Sequence, residues 1–588
     1  MPFDGLATAK ISQELHQELQ NSRVMRVYQP DRHTIHLHLR LPGENRVLAI
    51  AAESGRARLH TTTEQRENPL TPPAFCMLLR KYLEPSRIMA IQQKDFERIV
   101  YIVLETHNES GGRDEKTLIL EAMGRHSNVL LTHADGRILD ALFRFPPEAN
   151  AARVIMPQTT YQHPPAQGKK DAAKVTKEVF LTDLRLMERN TTVKKGLQDL
   201  YQGLGPFAAQ EIVARAGLAT KTVRQGTSEA DWHRLWECLQ VILEAVRPDT
   251  PAYMGTYRGK PDFFAYPTVQ VEETTEYPNL DTVLDSFYTE RVKAERIQKE
   301  ASALSRQLQT YLKRLKRKEG LQKQALGEAN QADQWRKYGE LITANLHAFN
   351  KGMKSATVVD YYDAEQPALV IPLDSTLSPS DNAQRYFKRY RKAQRSQKHT
   401  KQQLRKAQAE RRYLEETLVH IALADSIETL AEIREELVNE GYIKPPRKTK
   451  RVPKRAAAGW DEYVSSAGSS ILVGRNNSQN DALTFRVARP NDLWFHAQKI
   501  AGSHVVLRNQ GAVAEECIAE AALLAAFFSK ARTSPKVTVD YTERRYVRKP
   551  QGARPGFVIY DHFQSILVNP AETSLPRRLP RRTAANTE

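Results

Sequence analysis

Apolar residues recur three and four positions apart through two stretches of this chain, and the rest is arranged around them. The first stretch carries Ile297, Ala301, Leu304, Leu308, Tyr311 and Leu315. The second runs through Tyr390, Ala393, Gln397, Thr400, Leu404, Ala407, Arg411, Leu414, Leu418 and Ile421. Alternating three/four spacing sustained this long predicts a narrow coiled-coil seam rather than a broad globular face. No proline falls between Val283 and Leu341 or between Asp381 and Glu440, so nothing forces a break. A helix of roughly 50 residues reaches about 75 Å. Such an arm folds back on itself, so the segments before and after it are expected side by side. Gln397, Thr400 and Arg411 at seam positions predict modest stability and a further contact along the arm.

Outside the arm the period changes. Residues 1–168 read as an α+β module. ATAKISQELHQELQ gathers Ile11, Leu15 and Leu19 on one helix face, and VMRVYQP and HTIHLHLRL alternate as paired strands with Ile35, Leu37 and Leu39 inward. PPAFCMLLRKYLEPSRI reads as a helix opened by proline and stopped at Glu84–Pro85. FERIVYIVLE and KTLILEAMGRHSNVLLTHADGRILDAL supply further strands, with an Asp135–Gly136 turn between two of them. After the linker MPQTTYQHPPAQGKK, residues 171–270 read as helical, and Gly203-Leu204-Gly205 separates two helices as in a helix-hairpin-helix element. The arm occupies 281–440, with a small cap at about 338–380 built on SATVVDYYD and ALVIPL, and Asp381 or Ser380 as N-cap of the returning helix. Residues 457–570 alternate strands and turns around one alanine-rich helix, Glu515 to Ala531. KPPRKTKRVPKR is expected to be mobile and the basic tail 571–588 disordered. The fold class is α+β multidomain, with a long antiparallel coiled-coil arm.

Charge narrows the partners. Lys and Arg total 87 against 69 Asp and Glu in 588 residues, a formal net charge of +18, which favours RNA, DNA or an anionic membrane surface. The longest apolar run, Ala521 to Phe528, is too short to span a bilayer, and MPFDGLATAK has no secretion-signal layout, so a cytoplasmic protein without a membrane partner is expected. Three dispersed cysteines exclude a disulfide framework and a Cys-rich zinc module. His36 and His38 share a strand face, expected to be solvent-facing, but no nearby acid or cysteine completes a metal set. No metal and no cofactor are expected.

Five places carry candidate chemistry. On the returning helix Lys388, Arg389, Arg391, Lys392 and Arg395 begin a run that continues to Arg412 with one acid, Glu410, in it. A solvated helix face normally mixes signs, so this run points to a polyanion. Glu97–Arg98 is expected to open a strand, as a recognition pair or an ordinary edge pair. Glu121-Ala122-Met123-Gly124-Arg125 interrupts another strand, where Gly124 would admit a partner backbone or fill a bulge. In the last module Arg475, Asn476, Asn477, Arg489, Asn491, Asp492, Trp494, His496, His504 and Arg508 look exposed, a mixture suited to phosphates and unpaired bases. The Gly203–Gly205 turn could offer backbone N–H groups to a phosphate, or serve packing alone. No serine or cysteine nucleophile accompanies His496 and His504.

MPFDG, FERIV, EAMGRHSNVLL, GRILDAL, GELITANL, SDNAQRYFKRYRK and VGRNNSQNDALTFRVARPNDLWFHAQKIAGSHVV together resemble the NFACT family, with its bacterial RqcH and eukaryotic NEMF-type members. The resemblance covers nearly the whole chain. It implies an NFACT-N domain, a helix-hairpin-helix domain, a coiled-coil arm with a middle cap, and a C-terminal NFACT-R domain. It also implies a ribosome quality control factor that binds obstructed 50S subunits carrying peptidyl-tRNA. Such a factor recruits charged tRNA (tRNA-Ala in bacteria) for template-free C-terminal tailing, and works with a small RNA-binding co-factor. Peptide-bond chemistry would belong to the ribosome, so the chain is expected not to be an enzyme. The tRNA-facing positions implied are Glu97, Arg98, Glu121, Ala122, Met123 and Arg125. From residue type, Arg475, Asn476, Asn477 and Arg489 in the last module are expected to join them, and from their charge Lys388, Arg389, Arg391, Lys392 and Arg395 are expected to face rRNA. Glu97 stands where many relatives have Asp, and Ala122 is a departure if relatives carry a larger apolar residue.

Two alternatives come from other classes. The first two modules are thought to resemble formamidopyrimidine-DNA glycosylases, whose N-terminal proline amine attacks a flipped nucleotide. Pro2 would fit, but Phe3 and Asp4 follow where glutamate is wanted, and a four-Cys zinc finger cannot be built. A surface fibronectin-binding adhesin is the other, without an export signal or anchor to support it.

Overall fold

The computed structural model describes residues 3–64, 66, 68–107, 111–147, 153–165, 168–329, 332–445, 459–509, 511, 513–571 and 581–582. Most of the basic linker and of the basic tail lies outside the described residues. The chain divides into two compact units, Met1–Lys293 and Ala294–Glu588.

In the first unit, helix α1 (Gly5–Leu19) opens the chain, with Asp4 as N-cap accepting from the Leu6 and Ala7 N–H groups at 3.1 Å each. Strands β1 (Arg23–Tyr28), β2 (Thr34–Arg40), β3 (Asn45–Ala51) and β4 (Arg58–Thr61) follow, then helix α2 (Ala74–Leu83). Strands β5 (Ser86–Gln93), β6 (Ile99–His107), β7 (Arg113–Glu121), β8 (Asn128–His133) and β9 (Ile138–Ala141) complete the set. Among the described residues these nine strands form one antiparallel sheet in the order β4-β3-β2-β1-β5-β6-β7-β8-β9. Leu6, Ile11, Leu15 and Leu19 of α1 pack with Ile35, Leu37 and Leu39, as the alternation of β2 requires. His36, on the opposite face, is buried rather than solvent-facing. Thr62–Glu64 and Arg66 share its surroundings, and burial pushes its imidazole down to about 4.

Helices α3 (Lys177–Leu186), α4 (Val193–Leu200), α5 (Pro206–Arg215) and α6 (Glu229–Ala245) come next. Residues 171–270 are expected to be helical, but they contain two strands, Ala252–Tyr257 and Lys260–Phe264, and the first of these also pairs antiparallel with Thr274–Tyr277 beyond that range. Lys10 fastens α1 to this region. Its buried ammonium donates to Thr250 Oγ1 at 2.8 Å, Pro251 O at 2.7 Å and Ala265 O at 2.9 Å. Glu14 accepts from the N–H groups of Leu280 and Asp281, the first residues of helix α7 (Leu280–Ala329). A carboxylate there offsets the partial positive charge of a helix N-terminus.

In the second unit the later part of α7 packs against α9 (Pro379–Leu423) and α10 (Ile427–Asn439). The seam holds Leu304, Leu308, Leu312, Leu315, Ala407, Leu414 and Ile421. Tyr311 is the exception. Two successive four-residue steps, Leu304 to Leu308 to Leu312, shift the outgoing register, leaving Tyr311 exposed against Tyr442 at 5.6 Å. Arg411 at its seam position pairs across the helices with Glu319 at 2.9 Å. Helix α8 (Ala332–Ala344) also lies on α9 and reaches Ala344, inside the cap expected from about 338. The cap strands are Ser355–Val359 and Ala368–Pro372. The N-cap of α9 is Ser378, not Asp381 or Ser380. Pro379 takes the first helical position, and Asp381 donates its N–H to Ser378 Oγ at 3.1 Å.

The last module has α11 (Asn477–Ala482), α12 (Glu515–Phe527) and a twisted sheet. The sheet runs 564–568, 537–543, 493–497, 505–507, 470–473, 461–464, 581–582, so two residues of the tail expected to be disordered pair as its edge strand. Ala521, Leu524 and Ala525 of α12 cover one face over Phe495, Val505 and Val539. Trp494, Leu472 and Val506 fill the other with Leu483 and Val547.

Candidate nucleic-acid interface

Glu97 and Arg98 do not open a strand. They close a tight turn ahead of β6 in which Asp95 (φ 43°) and Phe96 (φ 58°) both occupy the left-handed region. For non-glycine residues that conformation is strained, and it persists only where the surroundings hold it. Here Lys94 N–H donates to Ile99 O at 3.0 Å, and Glu97 N–H to Lys94 O at 2.7 Å. Gln93 Nε2 donates to Glu97 O at 2.7 Å and Gly5 O at 2.9 Å.

The Gly203–Gly205 turn presses against the same place. At Gly203 (φ +90°) a Cβ would stand 2.1 Å from Phe96 Cδ1, and at Gly205 one would meet Asp4 Oδ2 at 2.8 Å. The Gly205 amide hydrogen-bonds the Asp4 carboxylate instead of facing an outside phosphate. Burial nevertheless pushes that carboxyl up to about 6. The glycines are therefore required by close packing.

Between the turns lies an open cleft of about 600 Å³, with Phe3, Arg98, Met123, Lys169 and Gln202 in its wall. Glu97 is half-buried. Burial and Asp95 raise its pKa, and a hydrogen bond from Gln202 works against them. Among the described residues no carboxylate lies within ion-pair distance of Arg98, which leaves its planar fork of donors available.

The second block is divided. Arg98 O accepts from Ala122 N–H at 2.8 Å, which sets the two segments side by side. Glu121 is 1% exposed. It binds Arg153 in two-pronged fashion, with one contact at 2.9 Å, and accepts from Tyr161 OH at 2.7 Å. Ala122 is buried as well. Neither side chain reaches the surface, while Met123 is half-buried at the cleft and Arg125 is exposed. Gly124 (φ +63°) shapes the turn between β7 and β8, with open space where its Cβ would be.

In the last module most of the residues read as exposed are buried. Asn476 caps α11, and Asn477 Nδ2 donates to Thr417 Oγ1 at 3.0 Å and Glu436 Oε1 at 3.2 Å on the arm. Burial raises the Glu436 pKa. Asp492 binds Arg508 at 2.8 Å. Trp494, His496 and His504 pack ring on ring, and burial pushes His496 and His420 down to about 4. Of the polar letters that looked like an RNA surface, Asn476 and Asn477 dock this module on its own arm, and most of the others are held within the module. Arg475 is partly buried beside Asp461 at 3.6 Å, and Arg489 is exposed.

On α9, Lys388, Arg389, Arg391, Lys392 and Arg395 are all exposed, and none is in an ion pair among the described residues. The spacing of Lys388, Arg391, Lys392 and Arg395 makes one cationic stripe. A second exposed run, Lys313, Arg314, Lys316, Arg317 and Lys318 on α7, escaped the sequence reading although LKRLKRK announces it.

These features define a multidomain α+β protein with a basic helical hairpin and a strained turn beside an open cleft. Residues 4–456 match the NFACT N-terminal and middle domains, and residues 460–560 match the NFACT protein RNA binding domain, so the chain belongs to the NFACT family. It is similar to the Rqc2 homolog RqcH of Bacillus subtilis, 36% identical over 97% of this chain and 98% of that one. The Rqc2 homolog RqcH of Streptococcus pneumoniae is 33% identical over 97% and 98%. Among solved structures, the N-terminal part of the fibronectin/fibrinogen-binding protein of Streptococcus suis matches with a TM-score of 0.43. That match has 27% identity and covers 49% of this chain and 99% of that one. Among the described residues no helix is long and apolar enough to cross a membrane.

Proposed function

We propose that this chain is a cytoplasmic ribosome quality control factor. It binds 50S subunits obstructed by peptidyl-tRNA and recruits charged tRNA, tRNA-Ala in bacteria, for template-free tailing of the stalled chain. A small RNA-binding protein assists it. The observation that carries this reading is the Asp95–Arg98 turn, where strain is held in place and a guanidinium without an ion pair among the described residues lines an open cleft. The cationic stripe of α9 supplies the sequence-independent attraction that rRNA phosphates reward. The chain acts as a recruiter, and the covalent step is the ribosome's. The test is affinity purification of tagged chain carrying Glu97→Ala with Arg98→Ala. That variant keeps 50S rRNA and loses tRNA. A normal tRNA yield would remove this turn from the account.

A further inference from the structure

Packing along the helical arm is uneven. At one end Leu304, Leu308, Leu312 and Leu315 of α7 share a core with Leu414 and Ile421 of α9, and the Glu319–Arg411 ion pair at 2.9 Å closes it. At the other, Leu341 and Ile342 of α8 share a core with Ala383 and Tyr386 of α9. There Gly339 is required by close packing, because a Cβ would stand 3.0 Å from the Phe387 ring. Between these cores no described side chain of α7 from Gly320 onward is buried, and none of α9 between Ala393 and Ala407 is. What is half-buried is mostly polar, with Gln322, Gln397, Thr400 and Gln403 beside Leu326 and Leu404. Gln322 Oε1 accepts no hydrogen bond among the described residues, a further sign of poor fit. The same stretch holds Gly320 and Gly327, each with nothing within 4 Å of where a Cβ would be. Neither close packing nor a positive φ calls for glycine at these two positions. A glycine inside a helix weakens it relative to alanine, and a helix without a packed apolar face opens locally at little cost.

We propose that the middle of the arm, residues 320–329 with 394–406, is a joint between two stiffer segments, each with its own cations for RNA phosphates. Lys313, Arg314 and Arg317 on α7 belong to the inner segment, and Lys388, Arg391 and Lys392 on α9 to the outer one. All six are exposed, and none is in an ion pair among the described residues. The outer segment carries the cap and bends against the inner one while both keep hold of the RNA. The joint follows from packing alone, and its use on RNA rests on the ribosome reading above.

The test begins with hydrogen exchange of the full chain. Amides of 320–329 and 394–406 should exchange at least about tenfold faster than those of 304–315 and 408–421. Gly320→Ala with Gly327→Ala should slow exchange across 316–329 roughly five- to thirtyfold, the effect of removing two helix-interior glycines. Gly339→Ala, where Phe387 must move, should speed exchange in α8 instead. Bending is read from nitroxides at Gln309→Cys and Ser355→Cys in a Cys238→Ser chain, whose distance distribution should be broad and should narrow with the two alanines. Uniform exchange along the arm, no slowing by the alanines, or a narrow distribution in the chain that keeps both glycines overturns the joint. Use on RNA is read by sedimentation with purified 50S subunits across a range of salt. Changing Lys313, Arg314 and Arg317 to glutamine, or Lys388, Arg391 and Lys392, should each lower the slope of log affinity against log salt by about 2–3, for three phosphate contacts. A slope that either change leaves untouched overturns the two-segment hold. A chain that bends as expected but never sediments with 50S subunits leaves the joint standing and overturns the ribosome reading.

Discussion

Replacing Gly203 with alanine tests whether the Glu97–Arg98 turn is held in shape from more than one hundred positions away. At φ +90° an alanine costs about 1–2 kcal/mol from backbone strain alone. Its Cβ would also stand 2.1 Å from Phe96 Cδ1, so the ring must move. Overpacking of this kind adds about 1–3 kcal/mol, for a total of about 2–5 kcal/mol. Gly124→Ala is the control. It has φ +63° with nothing within 4 Å of the new methyl, so only the strain of about 1–2 kcal/mol applies. Truncating the ring with Phe96→Ala should remove the clash and return the Gly203→Ala cost to the control value. The chain has more than one unit, so the assay is hydrogen exchange of peptides from residues 86–107 and 193–215 in all four members of the cycle. The expected coupling is about 1–3 kcal/mol. An equal Gly203→Ala penalty with and without the Phe96 ring refutes the reasoning.

Arg153→Met strands the buried Glu121 carboxylate and should cost about 3–5 kcal/mol, read as a lower melting temperature that Glu121→Met in the same chain largely restores. Leu308→Ala should destabilise the arm by about 2–5 kcal/mol, while Leu321→Ala, at an exposed site, stays within about 0.5 kcal/mol in the same melting assay. His496 has a folded pKa of about 4 against an ordinary 6.5, so the unfolded chain binds its proton first. Stability therefore falls as pH drops through that window, by about 1.4 kcal/mol per pH unit for one proton. Glu416, raised to about 7 by burial, acts in the opposite sense between pH 7 and 4.5, so the check compares stability slopes of the chain with and without His496→Gln. A slope unchanged by the substitution contradicts the assignment.

What could be read from the sequence followed from local periodicity. The seam residues Leu304, Leu308, Ala407, Leu414 and Ile421 were legible because three/four spacing is a property of one helix at a time. Tyr311 misled because the register shift shows only when the partner helix selects Leu312. The alternation of β2 identified Ile35, Leu37 and Leu39, but not the burial of His36, which depends on the remote Arg66 segment. Asn476, Asn477, Trp494 and His496 were read as exposed by residue type. Their burial comes from Thr417 and Glu436 on the arm and from ring packing, which no window of sequence contains. The Glu97–Arg98 pair was legible as a place, through FERIV. Its geometry was not, because the turn is shaped by Gly5 and Gly203.

The claim that this chain recruits tRNA to obstructed large subunits is tested most directly on the stalled product. A reporter lacking a stop codon is expressed in cells with the chain, without it, and with Arg98→Ala, and the C-terminus of the released polypeptide is sequenced by mass spectrometry. Untemplated alanines are expected only where the unaltered chain is present. The same alanine run in cells lacking the chain, or carrying Arg98→Ala at normal abundance, would contradict the account.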